Sequence, residues 1–507
     1  MRLLERDAAW AMEVAALREE IARLKGLKGR PKLKPSGMEQ ATEGKARRGK
    51  GKRRGGGGKT ARLAIDEERI VKADVPLGSR LKGYQDFVVQ ELVVRRHVIR
   101  FRRERWRTPT GETVVAPLPP GFVGHFGPGL RRFVLGQHYQ GQVTTPRLTE
   151  QLNDFGIAIS KRQVHRLLNE RTDGFLAEDA GVLRAGLETA RWITVDDTGA
   201  RHKGRNGFCT RIGNDHFTWF LTTFSKSRLN FLDLLRAGHG DYVVNQAAVD
   251  YMRRRKLAGP VIDTLIDEEA RSFPDEASWQ VHLRRLGISA LKVQPDPVRI
   301  ATEAALWGSV AAHGLLADAV IVSDDAGQFN VGHHGLCWIH AERLVHKLDT
   351  FTDGHRRAKE RIQAEIWRLY ADLKAYCRDP TPRRKRHLVD RFDTIFTTRT
   401  GFVTLDRLLT RLHANKAELL VALDRPEIPL HTNGAENDIR CQVIKRKISG
   451  GTRSDQGRDC RDAFLGLRKT CQKLGIRFWR YLGSRLLVPD TPDVPPLPKL
   501  IRQNATI

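Results

Sequence analysis

Cysteine is scarce in this chain. There are six in 507 residues, without paired spacing, and the first is Cys209. That excludes a small disulfide-built secreted scaffold and points to reduced thiols in a cytosol. No segment approaches the roughly 18 consecutive apolar residues of a membrane span. The opening stretch, "MRLLERDAAWAMEV", lacks the uninterrupted apolar core of a signal peptide. Acidic residues are also in short supply: 59 Asp plus Glu stand against 88 Lys plus Arg, a formal net charge of +29. Such an excess favours a polyanionic partner, and nucleic acid is the usual one.

What is present reads as a globular protein, with 40% hydrophobic and 29% charged residues. The length exceeds one core, so about two to four domains are expected. Residues 1–25 carry Leu3, Trp10, Leu17 and Leu24 at heptad spacing, with Val14 and Ile21 at the complementary position and Asp7 interrupting it. This predicts a short coiled-coil or amphipathic helix. Residues 26–69 form a Gly-, Lys- and Arg-rich linker; positions 28–59 hold twelve Lys/Arg against two Glu. It cannot bury enough apolar surface to fold alone, and its charge gives a sequence-independent grip on phosphates. About two thirds of the net charge still belongs to the rest of the chain, so the linker does not account for it.

Residues 70–120 read as a small β module. "FVVQELVV" and "HVIRFRRERW" approach strand alternation, and "TPTGE" is a turn before "TVVAP". Residues 121–180 turn helical. "TPRLTEQLNDFG" stops at Gly156, and "KRQVHRLLNE" follows with Ser160 placed as its N-cap. A helix, a short turn and a basic second helix make a helix-turn-helix candidate, with Lys161, Arg162, Gln163 and His165 projecting from the recognition helix.

Residues 185–487 read as an α/β domain. "WITVDD", "GFCTRIG" and "FTWFLTTF" are three successive strands separated by turns. "EAALWGSVAAHGLL" is a helix leading into the strand "AVIVSD". Three antiparallel strands, a helix and a further strand form the front half of a ribonuclease-H-like α/β fold. Helical insertions are expected near 228–300 and 342–430. A helix restarts near Asn433, and 488–507 is a tail. In such a sheet the first and fourth strands are neighbours, so Asp196 or Asp197 comes beside Asp324 or Asp325. Two adjacent carboxylates repel unless protonated or bridged by cations. Mg²⁺ prefers such hard oxygen ligands, and a pair of ions roughly 3.5–4 Å apart serves phosphoryl chemistry. Glu436, on the first turn of the restarted helix, is the best-placed third carboxylate.

The stretches "VDDTG", "SDDAGQFN", "CWIHAER" and "NGAENDIRCQVIKRKISGGTRSDQGRD" resemble those of the DDE transposases of bacterial insertion sequences, in the insertion-sequence-sixty-six family (TnpC-like transposases). The resemblance spans most of the chain, and its carboxy-terminal block is the most specific part. It implies a ribonuclease-H-like DDE catalytic domain with Asp196, Asp324 and Glu436 as catalytic metal ligands. Adjacent strand side chains point to opposite faces, so only one Asp of each pair can join the site; the resemblance sets Asp197 and Asp325 aside. The resemblance implies two Mg²⁺ ions, with Mn²⁺ as a substitute. It also implies double-stranded DNA as partner, both element terminal repeats and target, a homo-oligomer on DNA, element-encoded companion proteins and no membrane. The expected location is the bacterial cytoplasm, on the nucleoid. Lys445, Arg446, Lys447 and Arg453 are expected to contact phosphates near the site. The family often carries a Cys-rich zinc module ahead of its central domain; this chain has no Cys there to ligate zinc. Cys337 and His340 have ligand-like spacing but no second pair, and read as a structural motif supporting the active-site strand. The implied activity is metal-dependent cleavage of element ends and strand transfer. The competing readings are a catalytically inactive DNA-binding derivative and a ribonuclease-H-like nuclease without strand transfer.

Overall fold

A computed structural model describes residues 64–505. The predicted coiled-coil helix of 1–25 and most of the basic linker lie outside the described residues.

From 64 to 104 the chain has no regular secondary structure, and only the hairpin of β1 (Arg105–Arg107) and β2 (Thr113–Val115) follows. The predicted strand "FVVQELVV" therefore does not form. Its apolar side chains, such as Phe87 and Leu92, are exposed. A strand needs a paired neighbour to satisfy its backbone, and within this stretch alternation alone supplies none.

Helices α1 (Pro128–Leu135), α2 (Thr145–Asp154), α3 (Lys161–Asn169) and α4 (Asp173–Thr189) come next. The chain leaves α2 through Gly156, whose φ of +76° suits glycine. It enters α3 through Ser160, which accepts from the Gln163 amide while the Gln163 side chain accepts from Ser160 N, a reciprocal capping box. Val164 and Leu168 turn inward from α3, and Lys161, Arg162 and His165 stay exposed.

The central sheet is mixed. β3 (Trp192–His202), β4 (Arg205–Gly213) and β5 (Thr218–Thr223) form an antiparallel meander. An insertion follows: α5 (Arg228–Leu235), β6 (Tyr242–Val243), α6 (Gln246–Arg254), α7 (Gly259–Ile266), β7 (Ser272–Phe273) and α8 (Glu276–Arg285). Then α9 (Pro297–Ala312) leads to β8 (Val320–Ser323) and β9 (His333–Leu336), both parallel to β3. The sheet order is β5-β4-β3-β8-β9. β3 runs on past the predicted strand end at Asp197, because Thr198 to His202 continue the ladder with β4.

Alternation along β3 sends Ile193 and Val195 into the main core with α4 and α9. Trp192 faces the opposite side with Val320, Val322 and Ile428. On that side a helical body follows β9: α10 (Trp338–His346), α11 (Asp353–Arg378), α12 (Pro382–Phe396), α13 (Val403–Ala414) and α14 (Lys416–Leu419). It has a core of its own around Trp338, Tyr370, Phe392 and Leu409. Finally α15 (Asn433–Ser449) and α16 (Asp455–Lys473) pack on the sheet, followed by α17 (Phe478–Arg485) and α18 (Leu497–Ala505). The predicted tail is thus partly a docked helix. Leu497 and Ile501 are buried and α18 packs against α4, so their apolar area outweighs the chain-end entropy. Among the described residues no helix is long and apolar enough to cross a membrane.

Candidate functional site

Register brings the first two carboxylates together. The β3–β8 ladder pairs Trp192 with Val320 and Thr194 with Val322. Carried two residues further, the same register sets Asp196 opposite Asp324. The electrostatics agree: burial raises the Asp196 carboxyl, repulsion from Asp324 raises it further, and it stands at about 6. Among the described residues neither Asp196 nor Asp324 has a Lys or Arg at ion-pair distance. Their neighbours do. Lys226 Nζ lies 3.0 Å from Asp197, and Gln328 Nε2 donates to it at 2.9 Å. Asp325 pairs with Arg411 at 3.1 Å. It sits at φ +75°, a left-handed turn that an Asp tolerates, while Asp324 accepts from the Ala326 amide at 3.2 Å.

Glu436 is brought to the same side by a chain of local contacts. Cys337 N donates to Ser323 O at 2.9 Å, just after β8, and Thr432 N donates to Cys337 Sγ at 3.3 Å, just before Glu436. One buried cysteine thus ties the end of β8 to the start of α15. From the first turns of α10, His340 and Arg343 then meet Glu436. Arg343 donates to both its oxygens, at 2.9 and 3.4 Å, and His340 Nε2 lies 3.6 Å away. Burial lowers the His340 imidazole, but Cys337 and Asp324 more than offset this, and its pKa is raised. For the Cys337 thiol, burial raises and His340 lowers, with a net lowering. Cys337 and His340 therefore join the strand, the helix and the carboxylates.

Among the described residues no cluster of three or more His, Cys, Asp or Glu is arranged to hold a metal ion. The Glu436 oxygens are engaged by Arg343. The donor set itself suits a hard cation: two facing carboxylates without cationic partners, and a third held nearby on a cation that could be exchanged.

α15 is locked to the sheet two residues further on. Asp438 is buried and accepts from Arg211 at 2.7 Å and from Thr218 Oγ1 at 2.7 Å, with Lys473 Nζ at 2.8 Å. Arg211, on β4 opposite Asp196, also donates to Thr194 O at 2.7 Å. Burial raises the Asp438 carboxyl, but Arg211 and Lys473 overcome this and hold it at about 2. Sequence reasoning missed Arg211, Asp438 and Arg343. The signal was there for Asp438 and Arg343, inside the quoted motifs; nothing in the sequence marks Arg211.

The expected phosphate contacts separate. Lys447 and Arg453 are exposed on or just after α15, and Arg446 is half-buried beside Gly199. Thr452 pairs with the end of β3, donating to Arg201 O at 2.9 Å. Gly451 permits this approach, since a Cβ there would stand 2.3 Å from Arg201 O. Lys445 does not face a phosphate. It is 2% exposed and donates to His138 O at 2.8 Å, because its place on α15 turns it under the π-helical turn Gly136–Gln140 that follows α1. Burial, then Arg461, lowers it to about 7. A lysine lowered in this way opposes folding while protonated. Stability should therefore rise as pH climbs from about 7 towards 10.5, the window in which the unfolded chain holds the extra proton. In Lys445→Met, chemical denaturation across that window should lose this part of the rise. An unchanged pH dependence would refute the assignment.

The Gln163 side-chain oxygen caps α3 by accepting from Ser160 N. Lys161, Arg162 and His165 are exposed on α3.

A model of the family described as "Transposase IS66 family" matches residues 280–459. "Uncharacterized protein y4jO" of Sinorhizobium fredii (strain NBRC 101917 / NGR234) is 50% identical over 324 residues, which are 64% of this chain and 100% of that relative. The family match takes in β8, the CWIH motif, Glu436 and Asp438, and the y4jO match runs the full length of that relative. The chain belongs to the IS66 transposase family.

Proposed function

We propose that the protein is a DDE-type DNA transposase whose site is Asp196, Asp324 and Glu436 on a ribonuclease-H-like sheet. The observation that carries this is the contrast within each Asp pair. Asp197 and Asp325 are compensated by Lys226 and Arg411, and Asp196 and Asp324 are not. The strand order, an antiparallel meander with two parallel strands at its side, supports the fold assignment.

Asp196, Asp324 and Glu436 would hold the divalent ions, which when bound activate the attacking oxygen and stabilise the leaving one. The chain's own parts prepare this. The β3–β8 register fixes two carboxylates side by side. Arg343 keeps Glu436 oriented and charge-balanced until its oxygens are needed. The Arg211–Asp438 pair holds α15 at a fixed height above the sheet. Lys161, Arg162 and His165 on α3 would contact the terminal repeats, and Arg446, Lys447 and Arg453 the phosphates beside the cut.

The test is strand cleavage by the full chain in Mg²⁺, on a labelled duplex carrying the inverted repeats that flank its gene. Nicking at the repeat boundary and a joined product are expected. Intact ends under conditions where the protein binds them would refute the reading. In the same assay Arg162→Ala should lower the preference for repeat over random duplex by about tenfold, the value of one lost base contact. Gln163→Ala should instead lower helix stability. Equal preference in wild type and Arg162→Ala would remove α3 from end recognition.

A further inference from the structure

The helical body between β9 and α15 carries charge that the proposed chemistry does not use. Residues 353–430 hold seventeen Lys/Arg against eleven Asp/Glu. On α13, Leu405, Leu409 and Leu412 are buried, which fixes the opposite face outward. That face presents Val403, Arg407, Thr410 and Arg411 at helical spacing. Arg399, from the preceding turn, joins Val403, Arg407 and Thr410 around a surface depression of about 370 Å³. The acidic member of the rim, Asp406, is taken internally: it accepts from Thr400 N at 2.9 Å and from Thr400 Oγ1 at 2.7 Å. Arg399 and Arg407 are exposed, and among the described residues neither has an acidic partner. The row ends at Arg411, which reaches Asp325, the residue next to Asp324.

The two edges of the sheet differ in what covers them. The α1–α3 region packs on α16, and α16 packs on β5. Gln456 on α16 donates to Asn169 O at 3.1 Å. The helical body packs on β9, where Glu418 meets His334 at 3.1 Å. The carboxylate pair of β3 and β8 lies between these edges. On the transposase reading a duplex held by α3 would approach from the β5 side, which would leave the β9 side for a second duplex.

We propose that the outward face of α13, with Arg399, Arg407 and Arg411, is the docking surface for target DNA, gripping backbone phosphates and leading them to Asp324. This rests on the transposase reading for its partner. Guanidinium groups suit phosphate oxygens through paired donors; Arg399 and Arg407, which have no acidic partner among the described residues, are free to meet them, while Arg411 is paired with Asp325. Such contacts carry no base specificity, as a target surface requires.

The test is Arg399→Glu/Arg407→Glu in the full chain, beside Arg399→Lys/Arg407→Lys. Three readouts are compared: binding to a repeat-free duplex without divalent metal, cutting of a repeat-bearing end, and joining of a pre-cut end to target. The charge reversal should weaken repeat-free binding about tenfold or more. Its dependence on log salt should become shallower by about 1–2, from two lost phosphate contacts. Joining should fall in parallel, with end cutting unchanged, and the Lys pair should keep most of the binding. Wild-type affinity and slope in the reversed protein would overturn the proposal. Equal loss of end cutting would also overturn it, by assigning the face to element ends, and so would equal loss of binding in the Lys pair. Failure of the wild type to cut ends would overturn the transposase reading instead, and would leave the repeat-free binding comparison intact.

Discussion

Asp324→Asn is expected to reduce strand cleavage and joining on the order of a thousandfold while end binding persists. The substitution keeps size and removes charge. A neutral amide is a much weaker ligand for a hard cation and cannot balance its charge. Losing about 4 kcal/mol of transition-state stabilisation corresponds to that factor. Asp196→Asn should behave alike. Asp325→Asn is the control: it removes an exposed pair with Arg411, worth about 1 kcal/mol or less, so cutting should fall less than about fivefold. A second readout does not depend on turnover. The Asp196 carboxyl stands at about 6, above its unfolded value, so the folded protein binds the extra proton between about pH 4 and 6. Stability conferred by that protonation is lost as pH rises through the window. Removing the charge of Asp324 should lower the Asp196 pKa and stabilise the metal-free protein at neutral pH. Mg²⁺ should raise the Tm of the wild type and not that of Asp324→Asn. Unaltered joining by a folded Asp324→Asn protein would exclude this residue as a ligand.

Asp438→Ala is expected to cost about 3–5 kcal/mol, enough to unfold much of a protein of ordinary stability. Asp438 answers Arg211, which is 1% exposed. Removing the carboxylate leaves a buried guanidinium with no counter-charge, and Lys469 and Lys473 beside it in addition. The pair also fixes α15, so residual activity at low temperature should drop as well. The measurement is urea denaturation. The Asp438 carboxyl is depressed to about 2, so its stabilisation is present above about pH 4 and is lost as pH falls towards 2. Asp438→Asn should flatten this acid limb. A loss below about 1 kcal/mol in Asp438→Ala would mean that Arg211 finds water or another partner.

Two expectations failed, each for its own reason. "FVVQELVV" has strand alternation, yet it stays irregular, because a strand is specified only together with a partner that accepts its hydrogen bonds. Lys445 lies in a basic run, yet it is buried, because a run of charges contains one residue for every direction around a helix. The strands of the meander, the helix stop at Gly156 and the Ser160 cap were legible, since each depends on neighbours within a few residues.

By itself the sequence placed an Asp pair at the end of each of two strands, a candidate third carboxylate at Glu436, the basic character of the chain and the order of strands and helices around them. Composition and local periodicity carry these; the choice of Asp196 and Asp324 within their pairs came from the family resemblance. Only the tertiary structure decided which Asp of each pair lacks a cation. The answer depends on Lys226 and Arg411, the one 29 and the other 86 positions away from the carboxylates they meet. It also decided that Glu436 is delivered by Cys337 and held by Arg343, and that Arg211 and Asp438 set the height of its helix. Charge compensation is a matter of a few ångströms in space, because Coulomb attraction and desolvation act through distance and burial and not through position along the chain.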